Sequence, residues 1–139
     1  MPVSFRILAS RGLVYVRYEG FAQLDDGFAL FAQYMRHPDF RPGQKQLVDL
    51  ADVTGFERDY AKLFKMQAMK AGAFLTGDTQ TLLVYHAPSE EAQRMCQLIA
   101  RSWEQVPSVI ARVLQHEDEA LALLGQSETS IAELLEVTA

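Results

Sequence analysis

Apolar runs of two different periods alternate along this chain, and that alternation limits the fold more than any single residue does. "QLVDLADV" (46–53) and "TLLVYHA" (81–87) are short and carry little polar alternation, as a strand covered on both faces does. Elsewhere the apolar residues recur at three and four positions. Leu24, Phe28, Phe31 and Met35 form one such set. Tyr60, Leu63, Phe64, Ala68 and Ala71 form a second, and Ala92, Met95, Cys96, Ile99 and Trp103 a third. That spacing predicts helices. Strands separated by helices pair in parallel through right-handed crossovers, so the chain belongs to the α/β class.

The flanking segments complete the order. "SFRILAS" and "GLVYVRYEG" read as a hairpin turning at Arg11-Gly12, and Val14 and Val16 alternate with Tyr15 and Arg17 as in a half-buried strand. Asp25 and Asp26 open the first helix, and "HPDFRPGQ" ends it. "TGDTQ" (76–80) breaks the second. "TLLVYHA", the most apolar strand, reads as central. Pro88, Glu90 and Glu91 begin the third helix, with Arg101 near its end. "VPSVIARVLQ" is a last strand, and "EDEALALLG" a helix that His116 begins and Gly125 stops. The expected fold is a single α/β domain over 1–125, with a mixed, mostly parallel sheet of about five strands and about four helices, ordered β-β-α-β-α-β-α-β-α. The sequence leaves open whether helices cover one face or both. The tail, 126–139, is set apart; it could form a short amphipathic helix that meets a partner, or it could cover its own domain. Ser130 and Glu133 have capping-box spacing there, and Ile131, Leu134 and Leu135 share a face.

Charge and cysteine usage exclude several function classes. The net charge is -5 and the thirteen basic residues are scattered, which argues against a nucleic-acid partner. The single cysteine, Cys96, excludes an internal disulfide and any CxxC motif. No apolar run approaches the roughly 18 residues of a membrane span, and the first ten residues lack a signal-peptide pattern. A cytoplasmic protein is the default expectation.

Catalytic patterns are sparse. His37, His86 and His116 lie far apart with no metal-ligand spacing. Cys96 sits on an apolar stripe beside Met95 and Ile99, as a structural thiol does. There is no GxSxG, GxGxxG or P-loop pattern. Ligands of open α/β sheets sit beyond the carboxyl ends of strands. Two such ends carry polar groups: Asp52 and Thr54 at one, Tyr85 and His86 at the other. If the strands are neighbours, these four could bind a small polar ligand. The plainer reading is that Asp52 or Thr54 ties down loop backbone, Gly55 permits a tight turn and Ser89 starts a helix. Phe28, Phe31, Phe64, Phe74 and Trp103 have core spacing first, and could otherwise line an apolar pocket between helices and sheet. Phe56 and the Ile131/Leu134/Leu135 face are candidate partner contacts if they stay exposed. No cofactor is implied.

The strand "LVDLADVTGF" after an opening hairpin and helix resembles the STAS domain, the SpoIIAA-like fold of bacterial anti-sigma-factor antagonists. Leu47-Val48-Asp49-Leu50-Ala51-Asp52-Val53-Thr54 follows that family's pattern, and "HEDEALALLG" resembles its terminal helix. The resemblance implies a non-catalytic, cytoplasmic, bacterial regulatory domain that acts by contact with a protein partner or by self-association. The alternative is a carrier or sensor of a small or lipid-like ligand held in an apolar pocket. Phosphorylatable members carry Asp-Ser-Ser-Gly or a close variant where this chain has Glu57-Arg58-Asp59-Tyr60. The phosphoserine switch, about two added negative charges at a helix start, is therefore not carried over.

Overall fold

Gly12, with φ of 60°, turns the chain after one 3-10 turn, so that β1 (Val3–Leu8) and β2 (Leu13–Ala22) pair antiparallel. From there each strand is followed by a helix: α1 (Leu24–Met35), β3 (Lys45–Phe56), α2 (Tyr60–Phe74), β4 (Thr81–His86), α3 (Glu90–Trp103), β5 (Val109–Leu114), α4 (Glu117–Leu123) and α5 (Ile131–Val137). The computed structural model describes residues 2–74, 80–104 and 106–138, with residues 73 and 74 as backbone only. All but Gln80 of the break at 76–80 lies outside the described residues, as does the Phe74 side chain.

The five strands lie in chain order, β1-β2-β3-β4-β5, and β2 to β5 run parallel. Stepping one way across a sheet with right-handed crossovers puts every crossover helix on the same face. That is the arrangement found. α1, α2 and α3 share one apolar cluster with Val14, Val16, Val48, Leu50, Leu83, Tyr85 and Val109. The alternate residues Leu13, Tyr15, Leu47 and Val84 face the other way, against Ala120, Leu121 and Leu124 of α4 and Ile131 and Leu134 of α5. The period-two alternation of each strand thus feeds two separate cores.

Two expectations change, and one open question about the tail is answered. β3, not β4, is the central strand; β4 is next to last and owes its apolar sequence to helices on both of its faces. β2 is covered on both faces over Leu13–Val16, because the tail packs over Leu13 and Tyr15. The tail itself is a fifth helix of the domain. Ser130 accepts from Glu133 N–H as the capping spacing implies, and Ile131 N–H donates to Glu117 Oε1 at 2.7 Å. Arg6 donates to Leu135 O at 3.2 Å, and Arg11 pairs with Glu128.

Candidate functional site

The four polar residues singled out at the strand ends do not converge. β3 pairs with β4 only as far as Asp49↔His86, while it stays with β2 to Phe56. Asp52 therefore lies about 10 Å beyond the end of β4 at about 3.3 Å per residue. It is exposed and pairs with Arg17 at 2.5 Å. Thr54 is exposed too. Tyr85 and His86, being consecutive in a strand, point to opposite faces. The partner-contact candidates are likewise placed: Phe56, Ile131 and Leu134 are buried, and Leu135 is partly buried against the α4/α5 cluster. The expectation of an exposed apolar face at these residues is corrected, because the chain covers them itself.

His86 instead joins a buried polar cluster on the α4/α5 face. Its Nδ1 lies 3.1 Å from Asp49 Oδ1. Tyr15 donates to Asp49 Oδ2 at 2.6 Å, and Ala51 N–H donates to Oδ1 at 3.1 Å. Burial alone would raise the Asp49 carboxyl, but the bonds from His86, Tyr15 and Ala51 outweigh it and hold the group below its ordinary value. Burial first, and then the bond to Asp49, push the Tyr15 phenol up. With Asp49 ionised, His86 Nδ1 carries the hydrogen. The cluster ties β2, β3 and β4 together and leaves Asp49 fully engaged.

The opposite face holds a cavity of ≈ 90 Å³ between the sheet and α1, α2 and α3. That volume would hold about six waters. Most of its wall is apolar: Val16, Leu30, Phe31, Leu63, Met66 and Leu83 are representative. Of the aromatics proposed as pocket-lining, Phe31 and Trp103 are in the wall, whereas Phe28 and Phe64 are more than a third exposed outside it. The hydroxyls of Tyr18 and Tyr85 belong to residues of the wall. Tyr85 accepts from Trp103 Nε1 at 3.0 Å. Burial raises the Tyr85 phenol, and lifts the Tyr18 phenol to about 12. Gly27 gives Tyr18 its room, since a Cβ there would sit 2.7 Å from the hydroxyl oxygen.

Two polar groups of α2 in this wall lack a hydrogen-bond or ion-pair partner among the described residues. Gln67 is only 3% exposed. Its Nε2 donates to Ser102 Oγ at 3.0 Å, and Ser102 in turn donates to Ile99 O. Because that hydroxyl hydrogen is committed, Ser102 must accept from Gln67, which fixes the amide orientation and leaves Oε1 as a buried acceptor with no donor among the described residues. An orphaned buried acceptor costs about 1–3 kcal/mol. One turn on, the half-buried Lys70 lies with its amine 5.6 Å from the Phe31 ring centroid. No carboxylate pairs with it among the described residues, and desolvation pulls it down to about 8. Both residues were readable as an anomaly: Gln67 and Lys70 stand four and seven positions after Leu63, on the stripe that the helical period reserves for the core.

Phe56 and Leu98 line both this cavity and a surface groove, whose other walls are Arg58, Arg94, Gln97 and Arg101. Arg58 stacks over Phe56 at 4.9 Å, and Arg94 is paired with Glu90 and Glu91. Cys96 is buried, and desolvation lifts its thiol to about 12, far from a thiolate. Among the described residues no three His, Cys, Asp or Glu side chains gather as a metal site would need, and no helix is long and apolar enough to cross a membrane. No protein-family model matches the chain, and no curated protein sequence matches it.

Proposed function

We propose that this chain is a non-catalytic binding domain, a carrier or sensor, that holds a small and mostly apolar molecule between its helical layer and its sheet. One observation carries the reading: an apolar cavity of ≈ 90 Å³ into whose wall the fold has built the Gln67 acceptor and the Lys70 amine, neither with a hydrogen-bond or ion-pair partner among the described residues. Both groups are costly where they stand, and a bound molecule would supply what they lack. The STAS-like identity is part of the proposal. It is supported by the opening hairpin, the chain-ordered sheet and the "LVDLADVTGF" strand, and it makes the ligand an input to regulation. A second reading, action through a protein partner or a second copy, is favoured by Phe28 of α1 and Phe64 of α2, exposed aromatics on two helices that pack together. Native mass spectrometry of freshly purified protein tests the leading reading. Mass beyond the chain, released on denaturation, is the expected result. A bare chain that also binds no small apolar probe would overturn it, and a bare dimer would favour the second reading.

A further inference from the structure

The polar groups of the cavity say what kind of molecule fits. Gln67 and Lys70 stand three residues apart on α2, so their side chains are neighbours about 5–6 Å apart at Cβ. The first offers an acceptor and the second a cation. The groove that shares Phe56 and Leu98 with the cavity points to the same charge. It carries three guanidinium groups and no carboxylate in its wall, and only Arg94 has an ion-pair partner among the described residues. On a chain of net charge -5 this is a local excess of positive charge beside the cavity, and such a surface draws anions.

Resting on the ligand-binding reading above, we infer that the cavity takes a small amphipathic monocarboxylate, its carboxylate paired with the Lys70 amine and a neighbouring hydroxyl or N–H donating to Gln67 Oε1. The apolar body lies against Phe31, Leu63 and Met66. A molecule of about ten non-hydrogen atoms is the size that about six displaced waters allow. The charge match removes the isolated ammonium, and the donor removes the orphaned acceptor. A neutral isostere would answer only the second need.

The test is calorimetric titration of the full chain with 3-hydroxybenzoate, its neutral isostere 3-hydroxybenzamide, and benzoate. At pH 7 the hydroxy acid should bind about tenfold or more tighter than the amide, because a buried charge-assisted hydrogen bond is the stronger kind. Lys70→Met should abolish that preference and leave the amide bound. Gln67→Leu should abolish the preference for 3-hydroxybenzoate over benzoate. In the unaltered protein the preference for acid over amide should shrink as pH rises from 7 to 8.5, as Lys70 gives up its proton while the probes' own phenols stay largely un-ionised. The other titratable groups of the cavity wall are the Tyr18, Tyr34 and Tyr85 phenols, all raised by burial, and Glu57, held by Lys62 and Leu24 N–H. The phenols stay neutral across that range. Equal binding of acid and amide, or a preference unchanged by pH and by Lys70→Met, would overturn the inference while leaving the cavity a binding site. No binding of any of the three would overturn it together with the ligand-binding reading. The pH series needs no variant, so it decides the matter even if Lys70→Met fails to fold.

Discussion

Lys70 and Asp49 bury charge with opposite consequences. Asp49 accepts three hydrogen bonds, from Tyr15, His86 and Ala51, so its removal strands three donors. Asp49→Ala should lower stability by about 3 kcal/mol, since each buried unsatisfied group costs about 1–3 kcal/mol. Urea denaturation measures it, and a loss well under 1 kcal/mol would mean that solvent reaches those donors. Lys70 gains no such bonds among the described residues. Its folded value near 8 lies below the 10.5 of an ordinary lysine. Between those values the unfolded chain holds a proton that the folded chain has released, so this group makes stability rise with pH. Cys96 and the buried tyrosines oppose that trend from about pH 9 upward, because their raised values let the unfolded state ionise first. Lys70→Met should therefore be more stable than the unaltered protein at pH 7, with the gap narrowing by pH 9.5. A gap that does not change with pH would show the amine to be solvated. Asp49 could not be chosen over Asp52 from sequence, because the choice depends on where β4 stops alongside β3. The stripe position of Lys70 was in the sequence, but a lysine on such a stripe reads as one that snorkels until the surrounding wall is known.

At the scale of elements, the hairpin, the strand–helix alternation and the caps at Ser89 and Ser130 were all legible, because each depends on residues a few positions apart. What was not legible was which face each helix covers. The tail shows why. Ile131, Leu134 and Leu135 announce an apolar stripe, but nothing local says that the stripe lands on Leu8, Leu13 and Tyr15, over a hundred residues earlier in the chain. Leu134 is fully buried there. Leu134→Ala should cost about 2–5 kcal/mol, the usual range for a buried leucine. Ending the chain at Gly125 should cost more, because the uncovered face of β1 and β2 then meets water. Thermal unfolding checks both. A truncated chain as stable as the whole would mean that α5 is an accessory and frees its stripe for another partner.

For the whole molecule, one sheet separates two cores that have different tasks. On the α4/α5 side every large buried side chain meets another, and the polar cluster of Asp49 is satisfied. On the α1/α2/α3 side the packing leaves ≈ 90 Å³ open, and Gln67 Oε1 and the Lys70 amine in its wall have no hydrogen-bond or ion-pair partner among the described residues; Thr81 Oγ1 at the start of β4 is a further buried group without one. Interiors are otherwise close-packed, so a cavity with orphaned polar groups in its wall is where a function is expected. The methionines allow a direct test. Met66 and Met95 line the cavity, while Met35 and Met69 are exposed outside it. The decisive measurement is the methionine methyl NMR spectrum of the labelled protein during titration with 3-hydroxybenzoate and 3-hydroxybenzamide. If the cavity is the binding site, the Met66 and Met95 signals shift to saturation while Met35 and Met69 stay in place. Signals of Met66 and Met95 that never move, or shifts confined to Met35 and Met69, would contradict the account.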